Sequence, residues 1–279
     1  MIDLTPRNLH ITAQYEDGEE ARHFSFRIDL PQTSDLAATA GQFFMLTVPG
    51  FGEAPFTYVS PPDKGGNFNA LIRRTGSLTA ALFELAPGTV LGYRGPFGQG
   101  WPSLEDTRRV LAVAGGCGLA PLASVIDGAI NHPRSVHMSV LYGARYAAAQ
   151  VLLRERERWR LALPWIETFD RAPAGDRQGS PLAHFDELFG DEPPDTVLCC
   201  GPEPFMLAIA RDCLQRGVAA NRIWLSVERR MHCADGVCGH CYVGESYACR
   251  DGPTYCYDDY QRLLASAAME PAGQDSWLC

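Results

Sequence analysis

The sequence predicts a multidomain α+β chain: an N-terminal antiparallel β-barrel, an α/β domain on a parallel sheet, and a small cysteine-rich C-terminal unit. Three observations carry this. Short β-forming segments separated by Gly, Pro and Asp clusters fill the first third of the chain. From Arg108 onward, apolar strands alternate with helical runs, the pattern of a parallel sheet covered by helices on both faces. Near the end, Cys233, Cys238, Cys241, Cys249 and Cys256 crowd into one stretch. The expected units are 1–104, 105–226 and 227–279.

Composition sets the frame. A length of 279 residues suggests two domains or a little more, and 46% hydrophobic residues suffice for real cores. The net charge of −9 argues against a nucleic-acid footprint. No apolar run reaches the length of a membrane span, and Met1-Ile2-Asp3 lacks the basic start of an export signal. Ten cysteines in such a chain are expected in a reducing cytoplasm, serving metals or packing.

In the first unit, strands are expected over 9–14, 23–30, 42–48, 56–60, 67–73 and 90–94. One helix, 77–85, interrupts them and stops at Ala86-Pro87-Gly88. The run from Gly95 to Gly100 is an exit loop. In the second unit, strands are expected over 110–114, 136–142, 165–169, 196–200 and 223–227. Helices are expected from the end of the Gly115–Pro121 loop to Ile130, and over 147–160, 182–188 and 205–216.

Two of these strands end in glycine. Gly115-Gly116-Cys117-Gly118 follows the first, and Cys199-Cys200-Gly201-Pro202 follows the fourth. Ligands of parallel sheets bind beyond the carboxyl ends of the strands, where helix N-termini favour phosphate. One glycine loop is weak evidence, since a bare tight turn explains it equally well; two in one sheet point to a nucleotide. Pro121 stands where the dinucleotide fingerprint would place its last glycine, so the loop is not G-x-G-x-x-G.

Cys233, Cys238 and Cys241 stand as C-x4-C-x2-C, the plant-type spacing for a [2Fe–2S] cluster. Gly236 and Gly239 lie between them, letting the loop turn its amides toward the sulfurs. The fourth ligand is Cys249 or Cys256, with Cys249 favoured by the turn Arg250-Asp251-Gly252-Pro253 after it. Structural zinc is the competing occupant, although its sites usually show two closely spaced cysteine pairs and only Cys238–Cys241 is one here. A Rieske centre needs a second histidine downstream of His240, and none exists.

The chain resembles the ferredoxin–NADP reductase-like flavoproteins, and within them the iron–sulfur branch of electron-transfer (diaphorase) subunits. The residues carrying the resemblance are AGGCGLAPL at Ala114–Leu122, CGPEPFM at Cys200–Met206, and Val227-Glu228-Arg229-Arg230-Met231 leading into the cysteines. Gamma subunits of soluble nickel–iron hydrogenases and sulfhydrogenases share this layout. Dihydroorotate dehydrogenase electron-transfer subunits and the small subunit of NADH-dependent ferredoxin–NADP oxidoreductase share it too.

The resemblance implies FAD in the barrel, NAD or NADP on the α/β domain, and the cluster as the outlet for single electrons. The family's flavin motif R-x-Y-[ST] falls on Ala54-Pro55-Phe56-Thr57, followed by Tyr58-Val59-Ser60, so the arginine is absent and the tyrosine is Phe56. Thr57 would bond the flavin ring, and Phe56 or Tyr58 would pack on it. Arg73, with Gly76, Ser77, Leu78 and Thr79, would hold the pyrophosphate; an arginine pair Arg73-Arg74 on a solvated strand edge is the plainer reading. Gly115, Gly116, Cys117, Gly118, Gly201 and Pro202 would meet the nicotinamide nucleotide. Cys200 is expected near the nicotinamide, unless it is ordinary core packing, and Glu228 where barrel and α/β domain meet, unless it pairs with Arg229 or Arg230. Arg145, after the second strand, leans the cofactor toward NADP.

The implied activity is exchange of hydride between NAD(P)H and FAD, then of single electrons between FAD and the cluster. The expected partners are catalytic and iron–sulfur subunits of a heteromeric complex, foremost a soluble bidirectional [NiFe] hydrogenase. A dihydroorotate dehydrogenase-type subunit, a stand-alone NAD(P)H:ferredoxin reductase and a zinc-stapled nucleotide sensor are the alternatives. The tail is expected to form a weak helix from Tyr257, with Glu270-Pro271-Ala272-Gly273 packing on the partner.

Overall fold

The computed structural model describes residues 5–131, 136–189 and 192–269. Its first unit comprises β1 (Arg7–Glu16), β2 (Ala21–Ile28), α1 (Thr33–Leu36), β3 (Phe43–Val48), β4 (Gly52–Thr57), β5 (Asn67–Arg73), α2 (Ser77–Phe83) and β6 (Val90–Phe97). The strands form an antiparallel sheet in the order β4-β3-β6-β1-β2-β5. It closes into a barrel just past β4, where the Val59 amide donates to the Asn69 carbonyl (2.8 Å) and Ser60 bridges to Asn69. Phe24, Phe26, Phe44, Phe68, Tyr58 and Tyr93 fill the interior, the inward half of the period-2 alternation.

The second unit comprises β7 (Arg109–Gly115), α3 (Ala123–Asn131), β8 (His137–Ala144), α4 (Leu153–Ala162), β9 (Trp165–Phe169), α5 (Phe185–Phe189), β10 (Thr196–Cys200), α6 (Glu203–Gln215) and β11 (Ile223–Ser226). Its strands run parallel in the order β9-β8-β7-β10-β11. Both faces are covered, so the strands are apolar throughout. Val110, Ala112 and Ala114 pack toward Ile126 and Trp159 of α3 and α4, while Leu111 and Val113 pack toward Met206 and Ile209 of α6.

The cysteine-rich unit adds β12 (Tyr242–Val243), β13 (Ser246–Tyr247), β14 (Thr254–Cys256) and α7 (Tyr257–Met269). Strand β14 pairs antiparallel with β11 and becomes the sixth strand of the second sheet. The unit is therefore sewn to the α/β domain by backbone hydrogen bonds. Its buried Cys241, Val243 and Tyr260 share one core with Phe43 and Met45 of the barrel and with α6.

One helix expectation is corrected. The predicted helix 147–160 begins only at Leu153, because residues 146–152 dock on the β1–β2 turn. The Glu19 amide donates to the Ala148 carbonyl (2.7 Å), and the Val151 amide donates to the Tyr142 hydroxyl (3.1 Å). Tertiary contact here overrides alanine's helical propensity. The helical run expected after the Gly115–Pro121 loop is α3, which begins at Ala123, and Gly116–Leu122 before it winds as a 3₁₀ turn containing Pro121. The stretch Glu270-Pro271-Ala272-Gly273 lies outside the described residues.

Candidate functional site

The cysteine loop folds as its spacing predicts. Gly236 and Gly239 take left-handed φ of 72° and 74°, which lets the chain reverse twice within the loop. The amides then face sulfur: Asp235 and Cys238 donate to Cys233 Sγ (3.4 and 3.5 Å), and Gly236 donates to Cys249 Sγ (3.1 Å). The thiols are electrostatically linked: Cys238 to Cys233, and Cys249 to both Cys241 and Cys233.

Among the described residues, no three of these sulfurs lie within 4.8 Å of one another. One tetrahedral zinc would require separations of roughly 3.8 Å among all four. Cys256 stands apart, in β14, with its thiol donating to the Asp259 carboxylate (3.1 Å).

Backbone groups at His240 and Cys233 hold the exposed Cys238 thiol below its ordinary value. Burial, then the Cys241 sulfur, pushes Cys249 up to about 12. Burial, then the Glu228 carboxylate, pushes Cys200 up to about 12. Brief alkylation of the metal-free chain at pH 8, mapped by mass spectrometry, is therefore expected to label Cys238 first and leave Cys200 unlabelled. Early labelling of Cys200 would contradict this burial.

The loop is anchored to the barrel by a residue that sequence reading missed. Arg94 of β6 is only 7% exposed and donates to the carbonyls of Cys233 (3.1 Å) and His232 (3.5 Å). Its other face pairs with Glu53 of β4 (3.0 and 2.5 Å). Beside it, the Gln99 amide donates to the Gly252 carbonyl (2.5 Å), and the Thr254 hydroxyl donates to the Gly100 carbonyl (2.5 Å). The predicted exit loop thus seats the cysteine unit.

The two glycine loops meet at the ends of neighbouring strands β7 and β10. A side chain on Gly118 would come within 2.3 Å of the Cys200 carbonyl, so only glycine permits the contact. A side chain on Gly115 would come within 3.2 Å of Pro202 and one on Gly201 within 3.2 Å of Gly115, while nothing lies within 4 Å of the side-chain position of Gly116. Burial pushes the Cys117 thiol there up, opposed by Arg73 of the barrel and reinforced by Glu228 past β11 and by Asp17. Cys117, Cys200, Glu228 and Arg73 thus gather where the two domains face each other.

Glu228 makes no ion pair among the described residues, so the expected pairing alternatives do not form. Arg229 instead bonds Glu203 (3.0 Å), the Tyr260 hydroxyl (2.9 Å) and the Glu228 carbonyl (2.8 Å). Cys200 is 3% exposed, with its thiol 3.9 Å from the Ser226 carbonyl, so it is core packing as well as a neighbour of the cleft.

The flavin residues separate. Phe56 and Thr57 sit half-buried on β4, with the Thr57 hydroxyl donating to the Gln42 carbonyl (3.2 Å). Tyr58 is 1% exposed inside the barrel, where its hydroxyl bonds Tyr93 (2.7 Å); Tyr93 in turn donates to the buried Asp35. The expected packing of Tyr58 on a flavin is therefore corrected, and Val59 also lies in the core. Ser60 is engaged with Asn69 (3.0 Å).

Arg73 carries a buried Nε with no partner, whereas Arg74 is exposed and loosely paired with Glu20 (3.9 Å). The solvated-edge reading fits Arg74 alone. The Thr79 hydroxyl takes the Thr75 and Gly76 amides (2.9 and 3.0 Å), leaving Ser77 and Leu78 to open α2. The space beside Gly76 is open.

Arg145 is exposed after β8, and its carbonyl accepts from the Arg171 amide (2.9 Å). Arg171, which sequence reading did not single out, lies over the Tyr146 ring at 5.9 Å. No sequence signal joins these arginines, which sheet neighbours β8 and β9 bring together.

Three family models match successive parts of the chain: an oxidoreductase FAD-binding domain over residues 8–101, an oxidoreductase NAD-binding domain over 112–211, and the iron–sulfur cluster binding domain of dihydroorotate dehydrogenase B over 228–261. The chain is 33% identical over 275 residues to sulfhydrogenase 1 subunit gamma of Pyrococcus furiosus, covering 93% of this chain and 94% of that one. It is 31% identical to a probable dihydroorotate dehydrogenase B electron transfer subunit of Methanothermobacter thermautotrophicus, covering 96% of each. Among solved structures, the NADH-dependent reduced ferredoxin–NADP oxidoreductase superposes with a TM-score of 0.75 over 92% of both chains, at 23% identity.

Proposed function

Since this chain belongs to the family of FAD-, NAD- and iron–sulfur-binding electron-transfer subunits, we propose that it relays electrons from a nicotinamide nucleotide through the barrel to a partner subunit. The observation that carries this is the double attachment of the barrel. One side faces the glycine cleft through Arg73, and the other holds the cysteine loop through Arg94. Bound there, a flavin supplies the conversion between hydride and the single electrons that a [2Fe–2S] cluster handles.

The residues fit those groups. Arg73, with its unpartnered buried Nε, and the open turn Gly76-Ser77-Leu78 would receive the flavin pyrophosphate. Phe56 and Thr57 would face the ring system. Gly115, Gly116, Cys117, Gly118, Gly201 and Pro202 would line the nicotinamide side, with Cys200 and Glu228 bordering it. Glu228 would hold the nicotinamide in register and exclude water. Cys233, Cys238, Cys241 and Cys249 would lose their protons to bind iron. The amides of Asp235, Gly236 and Cys238 would then donate to the negative sulfurs and stabilise the reduced form. In this reading 1–104, 105–226 and 227–279 are the flavin, nucleotide and cluster units.

Arg145 and Arg171 support NADPH as donor, because guanidinium groups match a 2′-phosphate. With a dye as acceptor, the double replacement Arg145→Ala and Arg171→Ala is expected to lower kcat/KM for NADPH about tenfold and leave that for NADH within about twofold. A wild-type preference for NADH, unaltered by the replacement, would refute the assignment.

The exit side suits docking. Cys238 is exposed at the loop surface, next to Val237 at 79% and Tyr242 at 62% exposure. Exposed apolar groups around a redox loop mark an interface. The partner we favour is a soluble nickel–iron hydrogenase, on the likeness to the sulfhydrogenase gamma subunit. The match to a dihydroorotate dehydrogenase B cluster domain favours a second reading, in which the partner oxidises dihydroorotate. Native mass spectrometry of the complex decides: co-purified nickel-containing subunits support the first, a second flavoprotein supports the other, and a lone chain reducing ferredoxin refutes both. Free thiols and the absence, among described residues, of a helix able to cross a membrane accord with a cytoplasmic setting.

A further inference from the structure

The β1–β2 turn of the barrel and helix α4 of the second domain enclose a group of ligating side chains outside the redox path. His23 Nδ1 lies 3.5 Å from Asp17 Oδ2 and 3.8 Å from Glu155 Oε1, and the three donor atoms all lie within 4.8 Å of one another. The side chains of Asp17 and His23 are 1% and 4% exposed, and that of Glu155 is 18%. None of these separations is a hydrogen bond. Among the described residues, Asp17 Oδ2 and His23 Nδ1 are buried without any hydrogen-bond partner, as is Glu155 Oε2.

The rest of the site is built and held. Asp17 Oδ1 accepts from the Leu153 amide (3.1 Å), which aims the other oxygen inward. The His23 ring stacks on Tyr15 at 4.9 Å, and the Arg154 guanidinium lies over the Tyr15 ring at 3.8 Å. One buried and one half-buried carboxylate beside an unbonded, buried ring nitrogen are costly unless a cation joins them.

We propose that Asp17, His23 and Glu155 bind one zinc ion that ties the barrel to the α/β domain. An imidazole nitrogen with two carboxylate oxygens suits zinc, whereas calcium and magnesium take all-oxygen shells. Zinc bonds of 2.0–2.2 Å set tetrahedral edges of roughly 3.4 Å, close to the two measured separations. Two carboxylates and neutral histidine balance its charge, and the fourth position falls to water. The same β1–β2 turn carries Glu19, whose carboxylate accepts from the Tyr146 hydroxyl and whose amide donates to the Ala148 carbonyl, so further contacts between the domains flank the site.

The test uses anaerobic protein with flavin and cluster in place, stripped with chelator and then given zinc alone. Retention of one further zinc per chain, with an N/O shell at about 2.0–2.1 Å in zinc-edge absorption fine structure, is expected. Asp17→Asn and Glu155→Gln are expected to weaken zinc binding at least about a hundredfold and to abolish the zinc-dependent rise in Tm. Glu155 is the most exposed of the three, so its variant keeps the fold, which flavin and cluster content verify. Zinc bound equally by both variants, zinc with a sulfur shell near 2.3 Å, or no retained zinc would each overturn the proposal, the last leaving a plain histidine–carboxylate contact.

Discussion

Cys249→Ser is expected to abolish the visible absorption of the iron–sulfur cluster and remove its iron, while Cys256→Ser keeps both. The two cysteines are seven residues apart, yet the fold separates them completely. Cys249 faces Cys241 and accepts the Gly236 amide, inside the loop that carries the other three thiols. Cys256 is fixed in β14, where its backbone pairs with Trp224 and its thiol turns to Asp259. With one of four ligands replaced by a harder oxygen donor, iron content is expected to fall at least about tenfold. Flavin reduction by the nicotinamide nucleotide is expected to survive, because none of the residues assigned to the glycine cleft is a cluster cysteine. Iron content measured on both variants checks this; cluster loss in Cys256→Ser alone would reverse the ligand assignment.

Arg94→Ala carries the second large expected effect. The guanidinium is buried between Glu53 and the carbonyls of His232 and Cys233, so truncation strands a carboxylate and two carbonyls together. Breaking such a pair costs about 3–5 kcal/mol when fully buried; Glu53 retains 21% exposure, so about 3 kcal/mol is expected. The cluster should be lost on gentle heating before the flavin is. Arg94→Lys should recover less than half of the loss, because one ammonium cannot span both the carboxylate and the carbonyls. The joint variant Arg94→Met with Glu53→Gln should be more stable than Arg94→Ala, since it removes the stranded charge. Thermal release of cluster and flavin, followed by absorbance, measures all three.

The parts of the fold legible in the sequence are those governed by local chemistry. Strands 67–73, 165–169 and 196–200 are read to the residue, because alternation or continuous apolarity matches the burial of both faces. The cysteine loop is equally readable, since ligand spacing and two glycines determine it. What escapes is set by tertiary contact. Ala147–Ala149 has strong helical propensity yet serves as a docking strip for Glu19. Arg94 follows Tyr93, which points into the barrel, so alternation assigns Arg94 to the outside; only the cysteine unit packed there buries it. Tyr58 reads as a flavin contact from its neighbours, but the Tyr58–Tyr93–Asp35 chain of hydrogen bonds draws it inward. The Asp17–His23–Glu155 group spans two domains, so no local spacing announces it.

The most direct test of the relay is low-temperature electron paramagnetic resonance of the anaerobic chain after addition of reduced nicotinamide nucleotide. A signal from the reduced [2Fe–2S] cluster approaching about one spin per bound cluster is expected, and it should vanish in Cys249→Ser. A flavin that bleaches while iron and acid-labile sulfide are absent would contradict the account, because two-electron chemistry would then have no single-electron exit.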